Sequence, residues 1–217
     1  MIDLKQARRM MVDGQVRPND VTDLNLIAAM LEVPRERFAP AALAEVAYLD
    51  RDIAVDAARA LLKPMVLAKM IQAAEIGTGD RILDVACGTG YSSAILARLA
   101  ATVVALEDDP ERARRCGEIL AQLGAGTVTA VCGPLDAGWP ALAPYDVILV
   151  NGACEVEPQG LLRQLKEGGR LVGILGAAPA AKTVIYRKDR GEIGSRTLFD
   201  STASVLPAFA REPAFVF

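Results

Sequence analysis

Residues 81–93 read RILDVACGTGYSS, and this stretch decides the fold. Its first five residues form a short apolar run typical of a buried strand, and the glycines that follow lead the chain into a helix that opens at Gly90. A strand, a glycine turn and a helix in this order are typical of α/β sheets that bind a ligand at the carboxyl ends of their strands. The stretch therefore predicts a ligand-binding loop.

The chain beyond this loop alternates between apolar runs and helical patterns, as a parallel α/β sheet requires. Asp109 supplies an N-cap and Pro110 a first turn for a helix that Gly124 ends, and a further helix is predicted over 158–165, before a turn at 168–169. Strands are predicted over 102–106, 127–131, 146–150 and 171–175, with possible antiparallel edge strands at 183–186, 197–199 and 215–217. The pattern predicts a doubly wound, mostly parallel sheet.

Residues 1–76 have a different pattern, with apolar residues at helical spacing and no strand signal. Helices are predicted around Met10–Val16, from the N-cap Thr22 or Asp23 to Pro34, over 41–49, and from Pro64 to Gly77. We expect a helical N-terminal extension on a cofactor-binding core over 77–217. No linker separates them, so 1–217 is predicted to be one domain.

Composition excludes several classes of function. The 217 residues are 52% hydrophobic and 24% charged, and the net charge of -3 with a pI near 5.2 offers no basic surface for nucleic acid. Only 5% are aromatic, which disfavours base stacking. Residues 1–10 lack the apolar segment of a signal peptide, and no apolar run reaches the roughly 18 residues of a membrane span. We expect a soluble cytoplasmic protein without a nucleic-acid or membrane partner.

The chain contains no histidine, which excludes catalytic triads, imidazole bases and histidine-bound zinc. The cysteines show no CxxC spacing and are predicted to be reduced, buried thiols without a metal; they are Cys87, Cys116, Cys132 and Cys154.

Acidic residues on both sides of the glycine loop favour S-adenosylmethionine over a dinucleotide. A carboxylate at Asp84 would repel a pyrophosphate, whereas it attracts the cationic sulfonium and ammonium groups of the methyl donor. Glu107 stands 17 positions after Gly90 (107 − 90 = 17), where either cofactor needs an acceptor for its ribose hydroxyls. Asp108 and Asp109 would repel a 2′-phosphate. A plain structural turn and a nicotinamide-dependent oxidoreductase are the alternatives.

Seven segments together make the chain resemble protein-L-isoaspartate O-methyltransferases. They are MVDGQVRP at 11–18, VPRERFAP at 33–40, AYLD at 47–50, DVACGTGY at 84–91, GWP at 138–140, APYDVI at 143–148 and QLKEGGRLV at 164–172. The resemblance implies methyl transfer from S-adenosylmethionine to the free carboxylate of isoaspartyl residues in damaged proteins. Because that carboxylate is already ionised at pH 7, the reaction needs no general base.

The resemblance also implies the residues of the cofactor site. They are Asp84, Ala86 at the position of a usual glycine, Cys87, Gly88, Gly90, Glu107, Asp108, Gly133, Pro134, Leu135 and Asn151. Gly133, Pro134 and Leu135 replace the GDG sequence that is usual after the third strand of the core.

The acceptor segment departs from the family pattern. Residues 58–64 read ARALLKP where the family has GQTISQP, so Leu62 stands where a serine would help to hold the substrate. Either Arg59 or Lys63 binds the acceptor carboxylate in place of that serine, or both are exposed loop charges. In the second case the protein methylates a different acceptor or binds S-adenosylmethionine without catalysis.

Overall fold

The computed structural model describes residues 3–212, which form six α-helices and nine strands, numbered in chain order. The helices are α1 (Leu4–Met11), α2 (Leu24–Glu32), α3 (Pro64–Ala73), α4 (Tyr91–Leu96), α5 (Pro110–Gln122) and α6 (Gln159–Leu162). The strands are β1 (Ile53–Ala54), β2 (Ala60–Leu61), β3 (Arg81–Val85), β4 (Thr102–Glu107), β5 (Val128–Cys132), β6 (Tyr145–Cys154), β7 (Leu165–Leu175), β8 (Lys182–Asp189) and β9 (Glu192–Asp200).

Seven strands form one sheet in the order β5-β4-β3-β6-β7-β8-β9. The first five in this order are parallel, and β8 and β9 pair antiparallel at one edge. This confirms the predicted doubly wound sheet with antiparallel edge strands. The predicted strand at 215–217 lies outside the described residues.

The strand order reverses between β3 and β6, because β3 is followed along the chain by β4 on one side while β6 lies on its other side. Ligands of doubly wound folds bind in the crevice at such a switch point, outside the carboxyl ends of the strands. The loop after β3 and the last residues of β4 and β6 meet there.

Local capping explains where two helices begin. The Asp23 side chain accepts hydrogen bonds from the amides of Asn25 at 2.9 Å and Leu26 at 3.1 Å, which starts α2. Asp109 accepts from the Arg112 amide at 2.8 Å and starts α5, as predicted.

The N-terminal extension differs from the predicted all-helical segment in two places. Residues 53–61 form an antiparallel hairpin, with Ile53 opposite Leu61. The sequence does not predict this hairpin, because two-residue strands leave no periodic signal. The α-helix predicted over 41–49 is a 3₁₀ helix, Ala41–Val46. None of its residues is buried, so no packed apolar face supports a longer α-helix.

Three further predictions, two of them near β7, are also wrong. The helix predicted over 158–165 is limited to α6, because Leu165 already pairs with Tyr145 of β6. The turn predicted at 168–169 is an irregularity within β7, where Gly168 has a φ of +77°. The helix predicted to end at Gly77 ends at Ala73, just before Glu75 takes a left-handed φ of +51°.

Apolar side chains cover both faces of the sheet. The first cluster joins the N-terminal extension to the core, packing Met11, Leu26 and Leu67 together with Ile95 and Val103. The second cluster lies on the opposite face. Within residues 3–212, no helix has the length and apolarity needed to cross a bilayer.

Candidate functional site

The glycine loop connects β3 to α4 through three residues with left-handed backbone conformations. Ala86, Gly88 and Gly90 have φ values of +55°, +61° and +96°. The left-handed region costs an ordinary L-residue about 1 kcal/mol, a cost that glycine avoids and that Ala86 bears. At Gly90 a Cβ would lie 2.8 Å from the Cys116 Sγ, so a larger residue cannot fit.

Gly88 provides room above this loop. It is buried, yet a Cβ built on it would meet no atom within 4 Å. The space allows a ligand to approach the loop backbone closely, as the predicted cofactor site requires.

Asp84 lies beneath the loop with both carboxylate oxygens bound by side chains. Oδ2 accepts from Ser92 Oγ at 2.7 Å and Ser93 Oγ at 2.5 Å, and Oδ1 accepts from Asn151 Nδ2 at 2.7 Å. Burial raises the pKa of Asp84 to about 6, against the opposing effect of these hydrogen bonds. Asp84 and Asn151 therefore join β3, α4 and β6 at the switch point, and Asp84 presents no free oxygen.

Glu107, at the end of β4, is buried and fully hydrogen-bonded. Its Oε1 accepts from the Gly88 amide at 2.6 Å. Arg59 Nε lies 3.0 Å from Oε1 and 3.2 Å from Oε2, and Arg112 Nε donates to Oε2 at 3.1 Å. The carboxylate predicted to bind ribose hydroxyls is thus bound to two arginines.

Arg59 is not an exposed loop charge. Only 3% of its surface is exposed, and its Nη2 donates to Asp108 Oδ1 at 2.7 Å in addition to the Glu107 contact. Hydrogen bonds from Arg112 and Arg59 hold the pKa of Asp108 below its usual range, although partial burial acts in the opposite direction. The exposed-charge interpretation is wrong because the hairpin folds over the end of β4.

Two further residues, Arg112 and Asp56, belong to this ion-pair group and are not predicted from the sequence. Arg112 Nη1 lies 3.1 Å from Asp56 Oδ2, and its Nη2 lies 2.7 Å from Asp108 Oδ1. Arg112 could have been found from its place in the first turn of α5, directly after the strand that ends at Glu107. Asp56 carries no comparable signal, since it depends on the hairpin.

The acceptor segment is anchored by its backbone. Arg35 is fully buried and donates to the carbonyl oxygens of Ala47 at 2.7 Å and Leu62 at 2.8 Å. The Leu62 side chain packs in the core, whereas Lys63 is half-buried and its amide donates to Asp52 Oδ1 at 2.8 Å. Neither the side chain of Leu62 nor that of Arg59 is directed to an open acceptor pocket.

Arg35 also lies beside the glycine loop. Its guanidinium carbon is 4.8 Å from the centre of the Tyr91 ring. Burial lowers the pKa of Arg35. Among the described residues, neither Arg35 Nη1 nor the Tyr91 hydroxyl has a hydrogen-bond partner. The sequence alone predicts no role for this arginine in the site.

The segment after β5 lies next to the site, and its three predicted site residues differ in burial. The Gly133 amide donates to the Glu107 carbonyl at 2.8 Å, and Pro134 is exposed. The Leu135 side chain is fully buried in the second apolar cluster, so it is a core residue. Any contact of Leu135 with a cofactor would have to come from its backbone.

Three of the four cysteines are buried free thiols, as predicted, whereas Cys132 is exposed at the end of an edge strand. The Sγ atoms of Cys87 and Cys116 are 3.8 Å apart. The Cys116 contact and burial raise the pKa of Cys87, which leaves it a poor nucleophile.

The residues present fit S-adenosylmethionine at the loop but not at the ribose acceptor in the observed arrangement. The left-handed loop, the space at Gly88 and the position of Glu107 at the switch point agree with such a site. Arg59 and Arg112 occupy the oxygens of Glu107. A cleft of about 650 Å³ between Asp136 and Phe209 is lined by none of the predicted site residues.

Comparison with known proteins agrees with this fold and loop. The model of the protein-L-isoaspartate(D-aspartate) O-methyltransferase family matches residues 7–203. A protein-L-isoaspartate O-methyltransferase of Methanoculleus marisnigri is 38% identical over 87% of this chain and 86% of its own length. One of Gloeobacter violaceus is 37% identical over 86% of this chain and 92% of its own length.

Two solved structures share the fold. A Plasmodium falciparum β-aspartate methyltransferase in complex with S-adenosyl-L-homocysteine superposes with a TM-score of 0.79 at 18% identity, covering 96% of this chain and all of that one. A second structure, described as a protein-L-isoaspartate O-methyltransferase, gives a TM-score of 0.77 at 23% identity, and the match covers 93% of this chain and 65% of that one. From the family match and these relatives, the chain belongs to the protein-L-isoaspartate O-methyltransferase family, whose members are S-adenosylmethionine-dependent methyltransferases.

Proposed function

We propose that this protein transfers a methyl group from S-adenosylmethionine to the free carboxylate of isoaspartyl residues, as a step in repairing damaged proteins. The observation that carries the proposal is the family match over residues 7–203, which includes the loop and Glu107. The named activity of relatives that share 37–38% of their residues with the chain supports the same reaction.

The donor site is formed by the loop after β3 and the end of β4. When bound, S-adenosylmethionine supplies a methyl group activated by a positively charged sulfur. The open backbone at Gly88 lets the donor lie against the loop, and Glu107 stands where an acceptor for its ribose hydroxyls is needed. Asp84 fixes the loop from below and, with a pKa of about 6, is mainly ionised at neutral pH, so its charge favours a cationic donor.

The acceptor needs alignment and removal of water rather than a base. An isoaspartyl carboxylate is ionised at pH 7 and can attack the methyl carbon directly, which agrees with the absence of histidine. Lys63 is the cation of the acceptor segment that is available to hold this carboxylate. It is half-buried, and it forms no ion pair among residues 3–212.

A methyl-transfer assay tests the proposal. The protein is incubated with donor labelled in its methyl group and an isoaspartyl peptide, beside the same peptide with ordinary aspartate. We expect label in the isoaspartyl peptide alone and a raised KM for that peptide in Lys63→Met. Lys69 lies on α3 with its ammonium over the Phe199 ring, and the matched variant Lys69→Met should retain the KM of the unaltered protein. Equal labelling of both peptides would remove the isoaspartyl assignment.

A second candidate is donor binding with a different acceptor or without catalysis. It is favoured by Leu62, which replaces a hydroxyl with a buried apolar side chain, and by the ion pairs on Glu107. Calorimetry would detect binding of S-adenosylhomocysteine, and a panel of peptides and metabolites with labelled donor would show product on an acceptor other than the isoaspartyl peptide, or no product if catalysis is absent.

We also infer that the protein acts in the cytoplasm on protein or peptide substrates, without a metal or a nucleic-acid partner. The three buried free thiols agree with a reducing compartment, and the acidic net charge disfavours nucleic acid. The proposed reaction uses an already ionised carboxylate, so it needs no metal to create a nucleophile.

A further inference from the structure

The hairpin at residues 53–61 is held differently at its two ends. At its base, the flanking backbone is fixed by Arg35, which binds the Leu62 carbonyl, and by Asp52, which binds the Lys63 amide. The strand residues Ile53 and Leu61 are buried beside this base. The base therefore belongs to the packed core of the protein.

The tip of the hairpin, residues 56–59, makes ion pairs with the core, whereas the preceding Val55 packs against the first apolar cluster. Arg59 binds Glu107 and Asp108, and Asp56 binds Arg112 on α5. Asp56 also accepts from the amides of Ala58 and Arg59, which keeps the tip in its turn conformation. The tip can leave the end of β4 by breaking these ion pairs, without unpacking the base.

The same ion pairs use the hydrogen-bonding capacity of Glu107. Its two oxygens accept from Gly88, Arg59, Arg112 and the Asp108 amide. A carboxylate offers about four lone-pair positions, so a pair of ribose hydroxyls cannot be added while all these donors remain. Arg59 is the donor that comes from a separable segment, since Gly88, Asp108 and Arg112 belong to the loop, the β4 end and α5.

We propose that Arg59 is an internal competitor of the methyl donor: it occupies the ribose-binding carboxylate Glu107, and it must leave together with the hairpin tip before the donor binds. This inference rests on the proposed donor site. The donor's apparent dissociation constant is its intrinsic value divided by the fraction of molecules with an open tip. Arg59 thereby sets the donor concentration at which half of the protein is occupied.

The test measures binding of S-adenosylhomocysteine by calorimetry to the full chain and to three variants. Arg59→Met keeps the length of the side chain but cannot bind Glu107, and we expect its dissociation constant to be at least tenfold lower. Asp56→Asn weakens the ion pair between the tip and Arg112 while leaving Arg59 in place. We expect its dissociation constant to decrease about threefold, by the same population argument. A thermal scan without ligand should show a lower Tm for Arg59→Met, because Glu107 loses a buried partner.

Arg114→Met is the matched control. Arg114 also lies on α5 and pairs with Glu111 and Glu118. Its side chain is 56% exposed, and these two ion pairs do not include Glu107. Its affinity should equal that of the unaltered protein. Unchanged or weaker binding in both Arg59→Met and Asp56→Asn, with measurable binding to the unaltered protein, overturns the competitor role and leaves the donor site standing. If none of the four proteins binds S-adenosylhomocysteine, the proposed function fails and this inference fails with it.

Discussion

At the scale of single residues, each acidic group near the loop has a distinct role. Asp84 is enclosed by Ser92, Ser93 and Asn151, so it organises the loop from below. Glu107 stands at the carboxyl end of β4 and is neutralised by Arg59 and Arg112. The charge that favours a cationic donor is therefore partly balanced until Arg59 moves.

The raised pKa of Asp84 predicts a specific dependence of stability on pH. Because the folded protein holds this proton up to about pH 6 and the unfolded chain releases it near pH 4, the contribution of Asp84 to stability is complete below pH 4 and is lost as pH rises through 6. A shift of about two units corresponds to a loss of at most about 3 kcal/mol. Urea unfolding at pH 4.5 and 7 should show most of this loss in the unaltered protein and not in Asp84→Asn.

Asp200→Asn is the control for that measurement, because the Asp200 side chain is 86% exposed. Its stability should change between the two pH values as that of the unaltered protein does. Parallel changes in all three proteins would show that Asp84 titrates normally.

At the scale of elements, the hairpin and the acceptor segment depend on one buried arginine. Arg35 follows α2 and bonds to the carbonyl oxygens of Ala47 and Leu62, so it joins three parts of the N-terminal extension. Its planar guanidinium also lies against Tyr91, directly after the glycine loop. A lysine has neither the fork of donors nor the planar group that these contacts use.

Arg35→Lys should therefore lower the free energy of unfolding by about 3 kcal/mol, since hydrogen bonds from a charged group are lost and a buried charge remains. Arg37→Lys, at an exposed position two residues later that contacts Gln122, should change it by less than about 0.5 kcal/mol. Denaturant unfolding compares the two variants. Equal, small effects would mean that Arg35 does not anchor the segment.

At the scale of the whole molecule, the extension and the sheet share one apolar cluster, in which Met11 and Leu26 belong to the same core as Ile95 and Val103. A shared core makes separate unfolding of the two parts costly, because unfolding either part would expose the apolar surface of the part that remains folded. We therefore propose that residues 1–217 form one cooperative unit.

Trp139, the single tryptophan, reports on the sheet side of the molecule, and far-UV circular dichroism reports on all helices and strands. Unfolding curves from the two signals should coincide. A circular dichroism transition that precedes the fluorescence transition would show that the extension unfolds independently.

Local patterns made the sheet and the loop predictable from the sequence. The strand at 81–85, the glycines after it and the cap at Asp109 act on neighbouring residues, so their signal is contained in short stretches. The contact of Arg59 with Glu107 joins residues 48 positions apart, and its hairpin has strands of two residues. Neither the hydrophobic periodicity nor a motif spacing indicates such a contact. The sequence therefore predicts Arg59 either at the acceptor or in solvent.

We propose that the glycine loop after β3, with Glu107 at the end of β4, binds a cationic methyl donor and not a dinucleotide. The most direct measurement is a thermal-shift titration with S-adenosylhomocysteine and with NAD, at equal concentrations, on the unaltered protein and Glu107→Ala. The account predicts that S-adenosylhomocysteine raises the Tm, that NAD does not, and that the shift shrinks in Glu107→Ala. Stabilisation by NAD alone, or a shift by S-adenosylhomocysteine that is the same in both proteins, would contradict it.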